Sequence, residues 1–242
     1  MTREDEASRL PSLAYWLVMP AAGAGTRMQA GDKAVPKQYI ALAGRSVMEH
    51  ALDPFIADDD CEGIVVALQA QDRYFHALPV ATHPKVFHTL GGGTRRESVL
   101  KGLQDVRQRV ASRDAWVWVH DAARPCVRRA DIDRLKAALS RHPAGALLAV
   151  RVNDTLKRAN PTGVVEATVP RDGIWRALTP QAFRLDALTE ALTHCPEATD
   201  EASAMEASGA FPLLVAGEAD NMKITESADV AVALQILRGR SR

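Results

Sequence analysis

A glycine-rich stretch and two basic residues near the start of the chain could bind a strongly anionic ligand. An apolar run over residues 15–19 is followed by Gly23 and Gly25, and then by the cations Arg27 and Lys37. Glycine lets the backbone approach a ligand closely because it has no Cβ atom. A turn after a strand also gathers free N–H groups, which attract anions. This cradle with two cations predicts a triphosphate site.

The better-known phosphate-binding patterns do not fit this stretch. A dinucleotide-binding loop would need a third glycine where Met28 stands, and no Gly-Lys-Ser/Thr sequence follows as a P-loop requires. A plain tight turn remains the alternative for the glycines taken alone. Lys33 competes with Lys37 for the role of phosphate-binding lysine, and we prefer Lys37, which lies in the block Pro36–Tyr39.

Apolar runs alternate with amphipathic segments along the chain. The runs are long enough for strands buried on both faces, and they lie at 15–19, 63–68, 86–90, 115–119 and 145–150. Two capping boxes, Ser46–Glu49 and Thr94–Glu97, start helices over 47–57 and 95–110. Further helices are predicted over 131–139, 183–193, 199–208 and 226–238, and a strand over 211–216. This alternation predicts an α/β fold with a doubly wound, Rossmann-like, mostly parallel sheet.

Ligands of such sheets bind at the carboxyl ends of the strands, and several polar residues follow predicted strands there. Gly91–Gly93 precedes Arg95 and Ser98, His120 and Asp121 follow the run 115–119, and Lys223 precedes the last helix. Each has an ordinary structural interpretation: a flexible turn, a packed histidine, a capping aspartate and a solvent-facing lysine. Thr199 is expected to be a helix N-cap, and Arg171 and Thr179 are expected in turns or helix starts.

The segment 151–171 interrupts the alternation. Its pattern predicts two short polar strands, Arg151–Arg158 and Gly163–Pro170, joined by a turn. An isolated hairpin is marginally stable at best, so we predict an arm that packs on a second copy of the chain in a homodimer. The expected organisation is a disordered leader over 1–13 and a single domain over 14–242, with 151–171 as the dimerisation arm.

Composition excludes several classes of protein. The chain has 30 basic and 30 acidic residues, and this zero net charge gives no sign of a nucleic-acid or membrane partner. No signal peptide or membrane span is visible. Three widely spaced cysteines, Cys61, Cys126 and Cys195, show no metal-binding spacing. Reduced thiols of this kind are typical of a cytoplasmic protein.

As an ordered set, these motifs resemble the 2-C-methyl-D-erythritol 4-phosphate cytidylyltransferase family from about Trp16 to the C-terminal helix. The matching blocks are Pro20–Met28, Pro36–Tyr39, Gly91–Val99, His120–Pro125, Asp154–Lys157, Arg171–Gln181, Thr199–Ala202 and Asn221–Thr225. The resemblance implies that CTP and methylerythritol phosphate react to give the CDP-linked alcohol and pyrophosphate, in isoprenoid precursor synthesis.

The resemblance also implies roles for individual residues. Catalytic residues, which would grip the triphosphate and its α-phosphate, are Arg27, Lys37 and Lys223. Nucleotide-binding residues would be Ala21, Ala22, Gly23, Ala24, Gly25, Gly92, Arg95, Ser98 and Asp121. The alcohol phosphate would be held by Asp121, Arg124, Thr155, Arg171 and Thr179, with Arg171 and Thr179 acting across a dimer. Mg²⁺ would sit mainly on the CTP phosphates, near Asp121, because no dense carboxylate cage is present.

Three alternatives remain at this point. A cytidylyltransferase for another polyol phosphate, such as ribitol 5-phosphate, would share most of the motifs. A nucleotide-binding regulatory module would not need the full cationic set. A nicotinamide-dependent dehydrogenase is disfavoured by the incomplete glycine pattern.

Overall fold

A seven-stranded, mostly parallel sheet forms the centre of the computed structural model, which describes residues 13–23 and 35–240. Within the described residues, the strands are β1 (Tyr15–Pro20), β2 (Ala41–Leu42), β3 (Arg45–Ser46), β4 (Cys61–Leu68), β5 (Val86–Leu90), β6 (Trp116–Val119), β7 (Ala146–Arg151), β8 (Leu156–Ala159), β9 (Val165–Val169), β10 (Trp175–Arg184) and β11 (Leu213–Ala216). The sheet order is β11-β7-β10-β6-β1-β4-β5, and only β10 runs antiparallel to its neighbours.

Helices cover both faces of this sheet. They are α1 (Val47–Ile56), α2 (Arg95–Arg109), α3 (Arg129–Leu139), α4 (Leu185–His194), α5 (Glu201–Ala207) and α6 (Ser227–Arg240). One face packs on α1 and α3, and the other packs on α2, α4 and α5. The predicted doubly wound α/β fold is therefore confirmed. Both predicted capping boxes are present, with Ser46 and Thr94 accepting from the N–H groups of Glu49 and Glu97.

The chain changes direction across the sheet beside β1. It passes outward from β1 through β4 to β5, and then crosses to β6 on the other side of β1. The carboxyl ends of β1 and β6 are adjacent, since Val18 pairs with Val119 and its carbonyl accepts from the N–H of His120. A crevice at such a reversal point is where open α/β sheets bind ligands.

Strand β10 is the main element that the sequence did not predict. It lies in the middle of the sheet and contains Thr179, so the expectation that Thr179 lies in a turn was wrong. Proline within a run argues against a central strand because it cannot donate a ladder hydrogen bond. Here the register shifts between Ala177 and Gln181, and this irregularity accommodates Pro180.

The predicted arm exists as the two-stranded β8–β9 ribbon, paired antiparallel apart from the main sheet. Its strands are shorter than predicted, and Arg151 belongs to β7 instead. Val164 and Val165 are largely exposed on this ribbon. The role of the ribbon in a dimer stays a prediction.

The predicted leader, 1–13, lies outside the described residues except for Leu13, which packs against the core. The thiols of Cys61, Cys126 and Cys195 are all free. Across residues 13–23 and 35–240, the helices are too short or too polar for any of them to cross a bilayer.

Candidate active site

A cleft of about 380 Å³ opens at the carboxyl ends of β1, β5 and β6. It brings together three loops and the segment before α6, which are far apart in sequence. The predicted site residues that line it are Ala21, Ala22, Gly23, Lys37, Gly92, Arg95, Ser98, Asp121 and Lys223. Ala24, Gly25 and Arg27 lie outside the described residues, as does Lys33.

The block Pro36–Tyr39 fixes one wall of the cleft. Lys37 begins a short 3-10 helix and lines the cleft, while the next two side chains anchor the backbone. The amide of Gln38 donates to the carbonyl of Ala21 at 2.8 Å, and the Tyr39 hydroxyl donates to Asp72 at 2.6 Å. Gln38 is a site residue that received no role from the sequence. Gln38 and Tyr39 are both buried, and their hydrogen bonds hold the backbone of Lys37 against β1 and the loop that carries Asp72.

A tight turn after β5 forms the opposite wall. A Cβ atom at Gly91 would lie 2.5 Å from the Cβ of Ala22, so only glycine allows the two loops to approach this closely. The Ser98 hydroxyl accepts from the N–H of Gly92 at 3.1 Å and donates to the carbonyl of Thr94 at 2.8 Å. Ser98 therefore shapes the turn that lines the cleft.

Asp121 is the electrostatic centre of the site. Its Oδ1 accepts from Arg95 Nε at 3.0 Å, and its Oδ2 lies 3.0 Å from Lys223 Nζ and 3.3 Å from Arg124 Nε. Burial opposes the charge of this carboxyl, but the cations of Arg95, Lys223 and Arg124 outweigh burial and hold its pKa well below the usual range. One carboxylate thus organises three cations around the cleft.

Glu201 is a residue of the site that the sequence analysis did not assign a role. It is fully buried and forms a two-pronged ion pair with Arg95, at 2.6 and 3.0 Å. Arg95 is consequently fixed between Asp121 and Glu201. Asp200, not the expected Thr199, is the N-cap of α5, because its side chain accepts from the N–H of Ser203. A buried acid in the first turn of a helix resembles ordinary dipole compensation, so the sequence offered no clear signal.

His120 and Thr179 hold the backbone of Asp121. The Thr179 hydroxyl accepts from the N–H of Asp121 at 3.1 Å and lies 3.0 Å from His120 Nδ1. His120 Nε2 lies 3.2 Å from the carbonyl of Arg124 and must donate to it, so Nδ1 accepts from Thr179. Thr179 therefore contacts Asp121 of its own chain, and the expectation that it acts across a dimer was wrong.

This arrangement predicts a pH-dependent stability. Burial lowers the pKa of His120 from 6.5 to about 4, and Asp121 opposes that shift only in part. Below pH 6.5 the unfolded chain binds a proton that the folded chain does not, so stability falls as the pH decreases to about 4 and changes no further from this group. At 1.36 kcal/mol for each pKa unit, the loss is about 3 kcal/mol.

Denaturant unfolding of the wild type and His120→Gln between pH 4 and 7 measures this contribution. We expect the difference between the two unfolding free energies to change by about 3 kcal/mol across that range. His194→Gln is the matched control, because it removes a histidine from an exposed position. A His120→Gln profile parallel to that of the wild type would contradict the assignment of a buried neutral imidazole.

The remaining predicted residues lie outside the cleft lining. Arg124 borders it through Asp121, and its Nη1 donates to the carbonyl of Asn221 at 2.9 Å. Asn221 is buried and its amide donates to the carbonyl of Thr179 at 2.8 Å, which ties the loop carrying Lys223 to β10. Thr155 and Arg171 are exposed at the base of the arm, where Arg171 donates to the carbonyl of Asn153.

A family model and individual relatives match nearly the whole chain. The family model of 2-C-methyl-D-erythritol 4-phosphate cytidylyltransferase matches residues 15–239. The chain belongs to the 2-C-methyl-D-erythritol 4-phosphate cytidylyltransferase family. An enzyme of that name from Ectopseudomonas mendocina is 48% identical over 96% of this chain and 99% of its own length. One from Pseudomonas putida strain W619 is 46% identical, over 94% and 97% of the two chains.

Solved structures of cytidylyltransferases in this family share the fold. A 4-diphosphocytidyl-2C-methyl-D-erythritol synthase superposes with a TM-score of 0.81 at 35% identity, covering 93% of this chain and 99% of its own. The Francisella tularensis cytidylyltransferase gives a TM-score of 0.77 at 34% identity, covering 92% and 99%. The family identified from the sequence motifs is thus confirmed, and the chain is a nucleotidyltransferase. The alternative of another polyol phosphate is not favoured.

Within the described residues, no three His, Cys, Asp or Glu side chains converge as a dedicated metal site would require. Asp121 is the one carboxylate among the described residues that line the cleft. Mg²⁺ in nucleotide enzymes is commonly held by one or two carboxylates together with substrate phosphates. The donor set of this cytidylyltransferase fits that mode of binding, in which Asp121 would be the protein ligand.

Proposed function

We propose that the cleft transfers the cytidylyl group of CTP to 2-C-methyl-D-erythritol 4-phosphate, giving 4-CDP-2-C-methyl-D-erythritol and pyrophosphate. The observation that carries the proposal is the cluster at Asp121, where one carboxylate organises Arg95, Arg124 and Lys223 beside Lys37 and a glycine-rich turn. Both reactants are phosphate anions, and an excess of fixed positive charge is what their approach requires.

The nucleotide is proposed to lie between the loops after β1 and β5. Cytosine and ribose are held by the backbone and small side chains of Ala21, Ala22, Gly23, Ala24, Gly25, Gly92 and Ser98, and by the side chain of Arg95. The triphosphate is held by Arg27 and Lys37, and the α-phosphate by Lys223. The proposal is supported by the close approach of Ala22 to Gly91, which leaves the backbone of both loops facing one cleft.

The acceptor phosphate is proposed to bind beside Asp121 and Arg124. One of its oxygens attacks the α-phosphorus of CTP, the bond from that phosphorus to the oxygen bridging the β-phosphorus breaks, and pyrophosphate leaves. A phosphate monoester carries nearly two negative charges at neutral pH, so it can attack without a strong general base. The protein contributes alignment and charge neutralisation and needs no nucleophile of its own.

Mg²⁺ is part of the proposal, with Asp121 as its protein ligand. When bound to the phosphates of CTP, the ion would neutralise charge that develops on the leaving pyrophosphate. Arg95, Arg124 and Lys223 occupy only part of the carboxylate, whose two oxygens offer about four lone-pair sites.

Pyrophosphate release from CTP tests the reaction. We expect release only when Mg²⁺ and an alcohol phosphate are both present, with methylerythritol phosphate preferred over ribitol 5-phosphate. The same assay with ATP and GTP tests the assignment of the base site. Equal release from all three nucleotides would contradict that assignment, and preference for ribitol 5-phosphate would contradict the proposed acceptor.

We also propose that the chain functions as a homodimer in which each arm packs on the other subunit and Arg171 completes the neighbouring site. Support comes from the exposure of the β8–β9 ribbon, whose apolar Val164 and Val165 contact solvent in the single chain. Arg171 lies at the end of this ribbon, outside the cleft of its own chain. A two-fold arrangement would exchange the two arms symmetrically.

Mixing two inactive variants tests the shared site. In a mixed dimer of Lys37→Ala and Arg171→Ala chains, action of Arg171 in trans places both lesions in one site and leaves the other intact. Activity should therefore recover to roughly a quarter of the wild-type level, because random exchange makes half the dimers mixed and each has one intact site. Action in cis would give no recovery.

Subunit exchange is verified by native mass spectrometry of chains carrying tags of different mass. Mixing Lys37→Ala with a second Lys37→Ala preparation is the control, and it should stay inactive. An inactive mixture with proven exchange would refute the shared site but not the cytidylyl transfer.

A cytoplasmic location also belongs to the proposal, and the three free thiols, which are typical of a reducing compartment, support it.

A further inference from the structure

A second guanidinium lies close to Arg124 and has no role in the site described above. Arg176 is exposed on β10, and no ion pair of its side chain is found within the described part of the chain. Two other arginines nearby do have partners: Arg124 forms an ion pair with Asp121, and the guanidinium of Arg151 stacks on the ring of Trp175. Exposed arginines without an ion pair are common on protein surfaces, so a functional role for Arg176 depends on where it lies relative to the cleft.

The sheet register places Arg176 on the face that carries Arg124. Arg176 is directly opposite Val150 of β7, and cross-strand partners present their side chains to the same face. Val150 packs against the cluster that also contains Ala122 and Val127 from the loop around Arg124. Leu178, two residues further along β10, belongs to the same cluster.

The position of Arg176 along β10 also places it on the same side of the sheet edge as Asp121. Gln181 is paired with Val119 at the carboxyl end of β6, and β10 is antiparallel, so the residues before Gln181 extend beyond that end. Thr179 is thereby brought to Asp121, and Arg176 is three residues further along β10. The separation is shorter than the roughly 10 Å of a regular strand, because the register shift between Ala177 and Gln181 contracts this segment.

The charged side chains around Asp121 carry more positive than negative charge. Asp121 and Glu201 face Arg95, Arg124 and Lys223, which already exceed them by one, and Arg176 adds another cation. Burial lowers the pKa of Arg124 despite Asp121, and the guanidinium groups of Arg95 and Arg176 lower it further. Two neighbouring guanidinium groups, of which only Arg124 has an acidic partner among the described residues, are a favourable place for a dianionic phosphate.

We infer that Arg176 binds the phosphate of the acceptor alcohol together with Arg124, as a further substrate-binding residue of this chain. The inference rests on the proposed function, since it assigns the acceptor's phosphate to the side of the site nearest β10. The β- and γ-phosphates of CTP then belong to the opposite side, where Lys37 lies, and the α-phosphate at Lys223 lies next to the acceptor phosphate. Arg176 would thus distinguish the acceptor from CTP by affecting the affinity for only one of them.

Steady-state kinetics with Arg176→Ala test the inference. We expect the KM for methylerythritol phosphate to rise about tenfold, while the KM for CTP changes less than twofold, because one partly exposed charge-assisted hydrogen bond is lost. Arg176→Lys should recover part of the affinity. The melting temperature should not fall, since the exposed side chain has no ion pair to lose and its removal relieves repulsion with Arg124.

Arg113→Ala is the matched control, because it removes the same charge from an exposed loop before β6, at the opposite end of the strands. Equal KM values for the acceptor in Arg176→Ala and Arg113→Ala would overturn the inference. If the wild type preferred ribitol 5-phosphate, the proposed acceptor would be wrong, and Arg176 would be judged on the KM for that substrate. Calorimetric titration with inorganic phosphate judges it independently of turnover: binding should weaken in Arg176→Ala only, and unchanged binding would overturn the inference.

Discussion

Lys37→Ala is expected to lower kcat by about 10²–10³-fold, which corresponds to roughly 3–4 kcal/mol of lost transition-state stabilisation. The lysine lines the cleft on a short helix whose backbone is anchored by Gln38 and Tyr39. The backbone of Lys37 is thus held in place beside the cleft, and a charge positioned in this way needs little solvent reorganisation when charge develops on the leaving pyrophosphate. Single-turnover kinetics at saturating CTP measure the effect on the chemical step.

Arg27→Ala should lower kcat to a similar extent, because the glycine-rich turn and both cations are proposed to grip one triphosphate. Lys33→Ala is the matched control: it removes a neighbouring lysine that received no role in the proposed mechanism. We expect the Lys33→Ala enzyme to retain nearly full activity, with unfolding free energies of all three variants close to that of the wild type. A crippled Lys33→Ala enzyme with an active Lys37→Ala enzyme would reverse our choice of lysine.

The parts of the site that follow strands could be predicted from the sequence. Apolar runs identified β1, β5 and β6, and the polar residues after them had to meet at one edge of a parallel sheet. The expectation that β5 is buried on both faces was wrong, because this strand lies at the edge of the sheet and is partly exposed. This geometry brought Gly23, Gly92 and Asp121 into one cleft, as expected. Capping boxes fixed the starts of α1 and α2 because their hydrogen bonds are local in sequence.

Strand β10 could not be predicted because its stability depends on distant partners. Gln181 is buried in the middle of the sheet, which its residue type does not suggest. Its amide donates to Asp200, and its carbonyl oxygen accepts from the N–H of Ala202. These contacts satisfy a polar side chain that would otherwise be costly to bury. They exist only after α5 has packed beside β10, so no local pattern indicates them.

The same reason hid the role of Glu201. Its partner, Arg95, is more than a hundred residues away in the chain, and the pair forms only when α2 and α5 pack on the same face. Thr179 was recognised as part of a motif, but its contact with Asp121 depends on the unexpected strand. Sequence motifs therefore identified which residues matter more readily than they identified which residues touch.

The second large effect is expected for Asp121→Asn, which should lower kcat by at least about 10²-fold. The substitution keeps the size of the side chain but removes the charge that holds Arg95, Arg124 and Lys223 together. It also weakens the proposed Mg²⁺ ligand, since a neutral amide binds a hard cation less well than a carboxylate. The cations should spread apart, and the α-phosphate should lose its alignment with the acceptor.

Folding stability should fall in the same variant, because Arg124 and Lys223 would lose their counter-charge while Arg95 keeps only Glu201. We expect a loss of about 1–3 kcal/mol, the usual effect of leaving buried polar groups unsatisfied, which is below the full cost of an isolated buried charge because Arg95 and Lys223 are partly exposed. Pyrophosphate should restore much of this stability by occupying the cationic site, since a ligand that binds only the folded chain stabilises it.

Asp186→Asn is the control for this experiment. Asp186 pairs with Arg107 on the surface, where about 40% of each side chain is exposed, so its loss should cost less than about 1 kcal/mol and leave kcat unchanged. Urea unfolding with and without pyrophosphate separates the two sites. If Asp121→Asn were as stable as Asp186→Asn and gained nothing more from pyrophosphate, Asp121 could not be the counter-charge that organises the cleft.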